Sequence, residues 1–299
     1  MQGIINPKLP NSFIALMALA LSMIITSSCN NDQVNPPSRS AYSFFAAGHV
    51  YGKPGVDNDG FHPPFTDIIP YLNTKNDLEL GFFTGDIVIS DNEENWDQYL
   101  IAEEALSTKN YIAAGNHDYK NPELFQSYFG APNFYFYSQD DLFICLELNT
   151  TGWNIQDESF TILNEALATL DNADQNVFLF VHQLVWFAED TKYTQCYPNS
   201  FEGRQGPSNF RTEVLPLLEG IEQQVIIYAG DIGAFENGCA IMYDNFNNIQ
   251  LIASGMGGGK NDNIVITTVD ALGEISFELV ALNGDDKTVL GNVEDYWVQ

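Results

Sequence analysis

The stretch Tyr111-Ile112-Ala113-Ala114-Gly115-Asn116-His117-Asp118 joins an apolar run directly to a cluster of polar side chains. An upstream junction, Phe82-Phe83-Thr84-Gly85-Asp86, has the same form. Short apolar runs are typical of buried strands, and in α/β sheets the loops at the carboxyl ends of strands carry the functional groups. The Asn116 amide and the Asp86 carboxylate are hard oxygen ligands that suit divalent or trivalent cations. We therefore predict a metal site at this edge, with His117 as a proton donor oriented by Asp118.

The other apolar runs outline a domain in which strands and helices alternate. Nine runs rich in Ile, Val, Phe and Tyr predict strands at residues 43–47, 80–84, 111–114, 142–148, 177–181, 225–228, 250–253, 264–269 and 275–280. Five segments between them predict helices at residues 65–72, 93–106, 122–129, 159–170 and 211–221. This order predicts an α/β fold, a layered β-sandwich of two mixed sheets flanked by helices.

Several helix ends carry local signals in the sequence. Asn121 followed by Pro122 predicts a capped helix start, and Gly130 predicts the end of the same helix. Asp91 and Glu94 are spaced as a capping pair for the helix that begins at residue 93.

Three motifs in chain order give the sequence a resemblance to a known family. These are Gly85-Asp86, Gly115-Asn116-His117-Asp118 and His182, which ends an apolar run. They resemble the metal motifs of the calcineurin-like metallophosphoesterase superfamily, and the resemblance covers nearly all of residues 42–299. Residues 134–146 and 251–259 are similar to segments of its purple-acid-phosphatase-like branch. The resemblance implies hydrolysis of a phosphate monoester or diester by metal-activated water.

The first and last motifs depart from the family pattern, which reads Asp-x-His and Gly-His-x-His. His49 and Tyr51 stand at the two positions of the first motif when the flanking glycines are aligned. Shifting this alignment by two residues would instead place His49 on the family histidine and Ala47 on the family aspartate. Asp231 replaces the first histidine of the last motif, and Gly233 removes the second.

The aligned positions imply two sets of metal ligands that share Asp86. The fuller set comprises Asp86, Asn116, His182 and Asp231, and the poorer set comprises His49, Tyr51 and Asp86. We expect one or two metal ions. Oxygen-rich ligation favours iron, manganese or magnesium over softer metals, zinc stays open, and tyrosine ligation would favour iron.

The charge balance limits the partners, because 40 acidic residues face 11 Lys and Arg and the formal net charge is −29. Such a surface repels a phosphate backbone, so we expect no nucleic-acid partner. The substrate is expected to be a phosphorylated small molecule or envelope component. Arg204, Arg211 and Lys260 are candidate phosphate contacts.

The first 28 residues have the pattern of a bacterial lipoprotein signal peptide, with an apolar run followed by Thr26-Ser27-Ser28-Cys29. We expect lipidated Cys29 to anchor the chain to a membrane of the cell envelope, on its extracytoplasmic side. Residues 29–41 read as a flexible tether, and residues 42–299 as a single metallophosphoesterase-like domain. An exported chain can form disulfides, and the sequence leaves open whether Cys196 and Cys239 pair.

Two functions follow from these patterns. The first is an extracytoplasmic metal-dependent phosphoesterase. The alternative, motivated by the altered first and last motifs, is a catalytically weak surface lipoprotein of the same fold that acts as a binding or assembly module.

Overall fold

Two β-sheets with helices on their outer faces make up the fold in the computed structural model, which describes residues 39–171 and 175–299. Arg39–Gln299 form one compact unit. The predicted signal peptide, Cys29 and all but the last three residues of the predicted tether lie outside the described residues. No helix in the described part of the chain is long and apolar enough to cross a membrane.

Eleven strands and five α-helices are found among residues 39–171 and 175–299. The strands are β1 Tyr42–Ala47, β2 Leu78–Phe83, β3 Lys109–Ile112, β4 Phe134–Ser138, β5 Asp141–Cys145, β6 Asn176–Phe180, β7 Gln224–Ala229, β8 Ile241–Phe246, β9 Ile249–Ser254, β10 Asn263–Val269 and β11 Ile275–Ala281. The helices are α1 Pro63–Leu72, α2 Glu93–Glu103, α3 Pro122–Phe129, α4 Asp157–Leu167 and α5 Leu215–Glu219, the last preceded by a π-helical turn at Phe210–Val214.

Both sheets are mixed, which confirms the predicted architecture. The first has the order β11-β10-β1-β2-β3, with β1, β2 and β3 parallel and β10 and β11 antiparallel. The second has the order β4-β5-β6-β7-β9-β8, with antiparallel strands at its two edges. The parallel strands of each sheet end at one edge, where their loops can share a site.

An aromatic core between the sheets fixes where the functional loops begin. Phe82 of β2 and Phe180 of β6 stack at 3.8 Å between ring centroids, and both are fully buried. Burying a phenylalanine side chain stabilises a fold by about 2–3 kcal/mol. Asp86 follows the first ring by four residues and His182 follows the second by two, so the same contact between sheets positions both side chains.

Two local predictions need correction. The cap of α2 is Asn92, whose Oδ1 accepts the Asn95 N–H at 2.9 Å, because Asp91 turns away to accept the Trp96 indole N–H and the Asn121 N–H. The apolar-run pattern also missed both edge strands of the second sheet, β4 and β8. By contrast, Asn121 caps α3 as predicted by accepting the Leu124 N–H.

Candidate metal centre

Loops after five parallel strands bring the predicted ligands to one end of the two sheets. His49 follows β1, Asp86 follows β2, Asn116 follows β3, His182 follows β6 and Asp231 follows β7. The backbone is tight here: Gly85 has φ +82°, and a Cβ at that position would lie 2.4 Å from His182 Nδ1. A glycine is therefore required where the β2 loop passes the His182 ring.

The Asp86 carboxylate lies at the centre of the cluster. Its Oδ1 is 3.2 Å from His182 Nε2 and its Oδ2 is 3.7 Å from His49 Nε2. His182 Nε2 is also 3.8 Å from Asp231 Oδ1. Atoms that ligate one ion at about 2.1 Å are themselves separated by about 3–4 Å, so these spacings suit shared coordination. Within residues 39–171 and 175–299, no three His, Cys, Asp or Glu side chains form a closed metal cage, and the donors meet in pairs at Asp86.

Hydrogen bonds fix which nitrogen of each buried imidazole faces the carboxylates. His182 Nδ1 lies 2.8 Å from the Thr84 carbonyl oxygen, and His49 Nδ1 lies 3.0 Å from that of Met256. A carbonyl only accepts, so each Nδ1 carries the proton and each Nε2 is turned toward Asp86. Metal-ligating histidines are held by the same kind of contact on their second nitrogen.

The chemistry of the donor set fits a cation. Asp86, Asp118 and Asp231 are buried, and two buried imidazoles, His49 and His182, lie near Asp86. His182 Nε2 is buried and has no hydrogen-bond partner, although two carboxylates lie within 4 Å of it. Buried carboxylates need a compensating positive charge. A metal ion between these groups would supply it.

The pKa values of these groups reflect burial and mutual attraction. Burial lowers the pKa of His182, but the carboxylates of Asp86 and Asp231 outweigh it and raise that pKa to about 10. Burial also raises the pKa of Asp86, but His182 and His49 hold it below its usual value. For His49, burial outweighs Asp86 and lowers the pKa to about 4. Without a metal, a proton on His182 would thus provide the positive charge between the carboxylates.

Asp231 has a second partner that the sequence did not reveal. The Ser200 hydroxyl donates to Asp231 Oδ2 at 2.5 Å, and the Ser200 N–H lies 3.1 Å from Oδ1. The pKa of Asp231 is raised to about 7, chiefly by burial, against the attraction of His182 and Ser200. A disulfide between Cys196 and Cys239, the pairing left open above, ties the Ser200 loop to the loop after Asp231.

The predicted pairing of Asp118 with the His117 imidazole is wrong. Asp118 Oδ1 accepts the Ile87 N–H at 2.8 Å and the Val88 N–H at 3.2 Å, while Oδ2 accepts the Gly115 N–H at 2.8 Å. Burial, with Asp86 nearby, raises the pKa of Asp118 to about 6. The Asp118 carboxylate therefore holds together the loop that contains Asp86 and the loop that contains Asn116.

His117 is oriented by a backbone carbonyl instead. Its Nδ1 lies 2.8 Å from the Ile89 oxygen, so Nδ1 carries a proton and Nε2 remains available for proton transfer. Its backbone N–H is 3.1 Å from Asp86 Oδ1. The Tyr51 ring lies between the His49 and His117 rings, with centroid separations of 4.4 and 5.1 Å. Burial, followed by the negative charge of Asp86, raises the pKa of Tyr51 above its usual value.

Of the three candidate phosphate contacts, the two arginines pack against aromatic rings and the lysine faces solvent. The Arg204 guanidinium lies 4.5 Å from the Trp153 ring and donates to the Phe187 carbonyl oxygen at 2.8 Å. The Arg211 guanidinium lies 5.7 Å from the Tyr193 ring. Lys260 is exposed. Phosphate binding through these three side chains stays a prediction.

Comparison with known proteins gives one family match. The sequence model described as calcineurin-like phosphoesterase matches residues 49–255, while no curated protein matches the chain.

Three solved structures resemble the chain at low identity. A candidate 5′-nucleotidase of Staphylococcus aureus, in complex with α-ketoglutarate, shares 16% identity over 83% of this chain and 55% of its own, with TM-score 0.45. The NAD nucleotidase of Haemophilus influenzae shares 11% identity over 81% of this chain and 50% of its own, with TM-score 0.46. A conserved uncharacterized protein of Streptococcus pneumoniae shares 9% identity over 81% and 91%, with TM-score 0.38. This chain thus spans about half the length of the first two.

Proposed function

Because the chain belongs to the calcineurin-like phosphoesterase family, we propose that it is a metal-dependent hydrolase of phosphate monoesters or diesters. The observation that carries this proposal is the state of His182. Its imidazole is buried, its Nδ1 is held by Thr84, and its Nε2 has no hydrogen-bond partner between two buried carboxylates. A buried polar atom without a partner is costly, so its retention indicates a ligand.

The residues that would hold the metal are Asp86, Asn116, His182 and Asp231, with His49 and Tyr51 on the other side of Asp86. Their mixture of oxygen and imidazole donors suits iron, manganese, magnesium or zinc. When bound, such an ion supplies Lewis acidity toward a phosphoryl oxygen and activates water for attack. The buried carboxylates and imidazoles would hold such an ion in a fixed position.

His117 would act at the leaving group. It is half-buried beside the cluster, and its contact with Ile89 holds the ring with Nε2 free. In its protonated form this nitrogen can donate a proton to the departing oxygen of the ester. Proton transfer from a positioned side chain is the usual role of histidine in such reactions.

A second candidate function rests on Gly233. Its φ is +82°, and a Cβ there would lie 2.6 Å from the Gly255 carbonyl carbon and 2.7 Å from the Met256 nitrogen. No side chain can occupy that position without moving the 255–256 backbone. The loop therefore has no room for the second histidine of the family's last motif. This favours a weakly catalytic member of the family that binds its ligand or partner at the cell surface.

The location we propose is the extracytoplasmic side of a bacterial envelope membrane, with lipid on Cys29. The support is the apolar run before Thr26-Ser27-Ser28-Cys29 in the sequence. Mass spectrometry of the N-terminal peptide from expressing cells checks this directly. We expect a diacylglyceryl-type mass increase on Cys29 that is absent from Cys29→Ala. An uncleaved N-terminus, or an unmodified Cys29, would contradict it.

Metal content and hydrolysis together test the function. We expect the purified chain to contain iron, manganese, magnesium or zinc, and to lose hydrolysis of aryl phosphate monoesters or diesters after chelation. Adding the metal back should restore turnover. Protein that binds none of these metals and is inert toward both ester types would refute the enzyme proposal. Protein that binds metal but hydrolyses neither ester would favour the binding module.

A further inference from the structure

Gln183 is a buried polar residue beside the cluster that the motif comparison did not identify. It directly follows His182, is 1% exposed, and its Nε2 lies 3.5 Å from Asn116 Oδ1. Its Oε1 is buried and has no hydrogen-bond partner. We propose that Gln183 supplies an additional amide oxygen to the metal centre, a role that rests on the proposed metal dependence.

The unpartnered oxygen is the first argument. Leaving a buried amide acceptor without a partner is destabilising. Gln183 Oε1 and the neighbouring His182 Nε2 are both in this state. Two consecutive residues therefore each keep a buried polar atom without a partner, and the Gln183 oxygen, which only accepts, calls for an electropositive group.

The contact with Asn116 is the second argument. At 3.5 Å it is at the long limit of a hydrogen bond, so it holds neither amide firmly. The contact places the two side-chain amides next to each other, and Gln183 Oε1, at the other end of the contacting amide, keeps its acceptor capacity for a cation.

The charge of the site favours an amide over a further carboxylate. Asp86, Asp118 and Asp231 already place three carboxyl groups in the buried cluster. A neutral oxygen donor can complete coordination without adding to their repulsion. Amide and carboxylate oxygens together suit a hard ion, and Mn²⁺ is therefore the probe of choice.

Titration of Mn²⁺ into the metal-free full chain tests the proposal. Gln183→Met keeps the length of the side chain but removes the oxygen, and Gln183→Glu keeps an oxygen donor. Gln175→Met is the matched control, because Gln175 is also a buried glutamine but precedes β6, at the opposite end of the strand, where its Nε2 donates to the Asp140 carbonyl oxygen.

We expect Gln183→Met to weaken Mn²⁺ binding by about 100-fold or more, as the loss of a direct ligand should, and Gln183→Glu and Gln175→Met to bind Mn²⁺ about as tightly as wild type. Wild-type affinity in Gln183→Met would overturn the proposal, as would equal losses in Gln183→Met and Gln183→Glu. If Gln183→Met does not fold, Gln183→Leu decides, because it also lacks the oxygen: Mn²⁺ binding must weaken by a similar factor, and wild-type affinity refutes the oxygen-donor role. Failure of the proposed function itself is distinct, because the wild-type chain would then bind none of the candidate metals.

Discussion

Replacing Asp86 by Asn should abolish metal binding and hydrolysis while the fold survives. Asn has the same shape as Asp and keeps an oxygen that can accept the His117 backbone N–H. In the wild type this N–H lies 3.1 Å from Asp86 Oδ1. It removes the negative charge that faces both His182 and His49. Losing a direct ligand should weaken metal binding by more than about 100-fold, since even indirect supporting groups contribute 10–100-fold. Because a catalytic metal contributes several kcal/mol, kcat/KM should fall on the order of 1,000-fold.

A matched control separates metal loss from general damage. Asp141 is also fully buried, but it lies at the start of β5, where it accepts the Tyr42 hydroxyl at 2.5 Å and the Asn176 N–H at 2.6 Å. Asp141→Asn should lower the melting temperature and leave metal content unchanged. Titration calorimetry and elemental analysis of both variants give the comparison. Asp86→Asn with full metal content would show that Asp86 is not a ligand.

The sequence predicted those features that follow from local patterns. Strand ends rich in Phe and Ile were located to within a few residues, since apolar runs of that length must be buried. The convergence of Asp86, His182 and Asp231 followed from a general property of parallel sheets, whose strands end at a common edge.

Features that depend on distant contacts were not predictable in this way. Strand β8 contains Asp244, whose buried carboxylate is satisfied by Lys192, Tyr193 and Trp297, about 50 residues away on either side. The pair Asp244-Asn245 interrupts the apolar run, so the sequence pattern did not predict this strand. Ser200 and Gln183 were missed for the same reason, because the partner that each contacts, Asp231 or Asn116, is remote in the chain.

The error at Asp118 has a different cause. The spacing of Gly115-Asn116-His117-Asp118 shows that a carboxylate follows the imidazole, but adjacent residues in a tight turn do not face each other. The direction of the Asp118 side chain is set by three backbone N–H groups of two neighbouring loops. Only coordinates could show that these amides, and not the His117 ring, receive its oxygens.

Replacing His117 by Ala should lower kcat toward an alkyl phosphate ester by about 10²–10⁴-fold while metal content stays at the wild-type level. The reason is that the ring contacts Ile89 and Tyr51, and its Nε2 is free for proton transfer. Loss of metal together with activity would instead assign His117 as a ligand. Parallel elemental analysis of the wild type and the variant distinguishes the two roles.

The leaving group gives a sharper form of this test. A proton donor matters most when the departing oxygen is strongly basic, as in an alkyl phosphate, and little when it is weakly basic, as in a nitrophenyl phosphate. The loss of kcat in His117→Ala should therefore be large for the alkyl ester and close to tenfold or less for the nitrophenyl ester. Equal losses for the two esters would mean that His117 stabilises the transition state by some means other than proton donation. Unequal losses, with metal retained, would identify its Nε2 as the group that protonates the leaving oxygen.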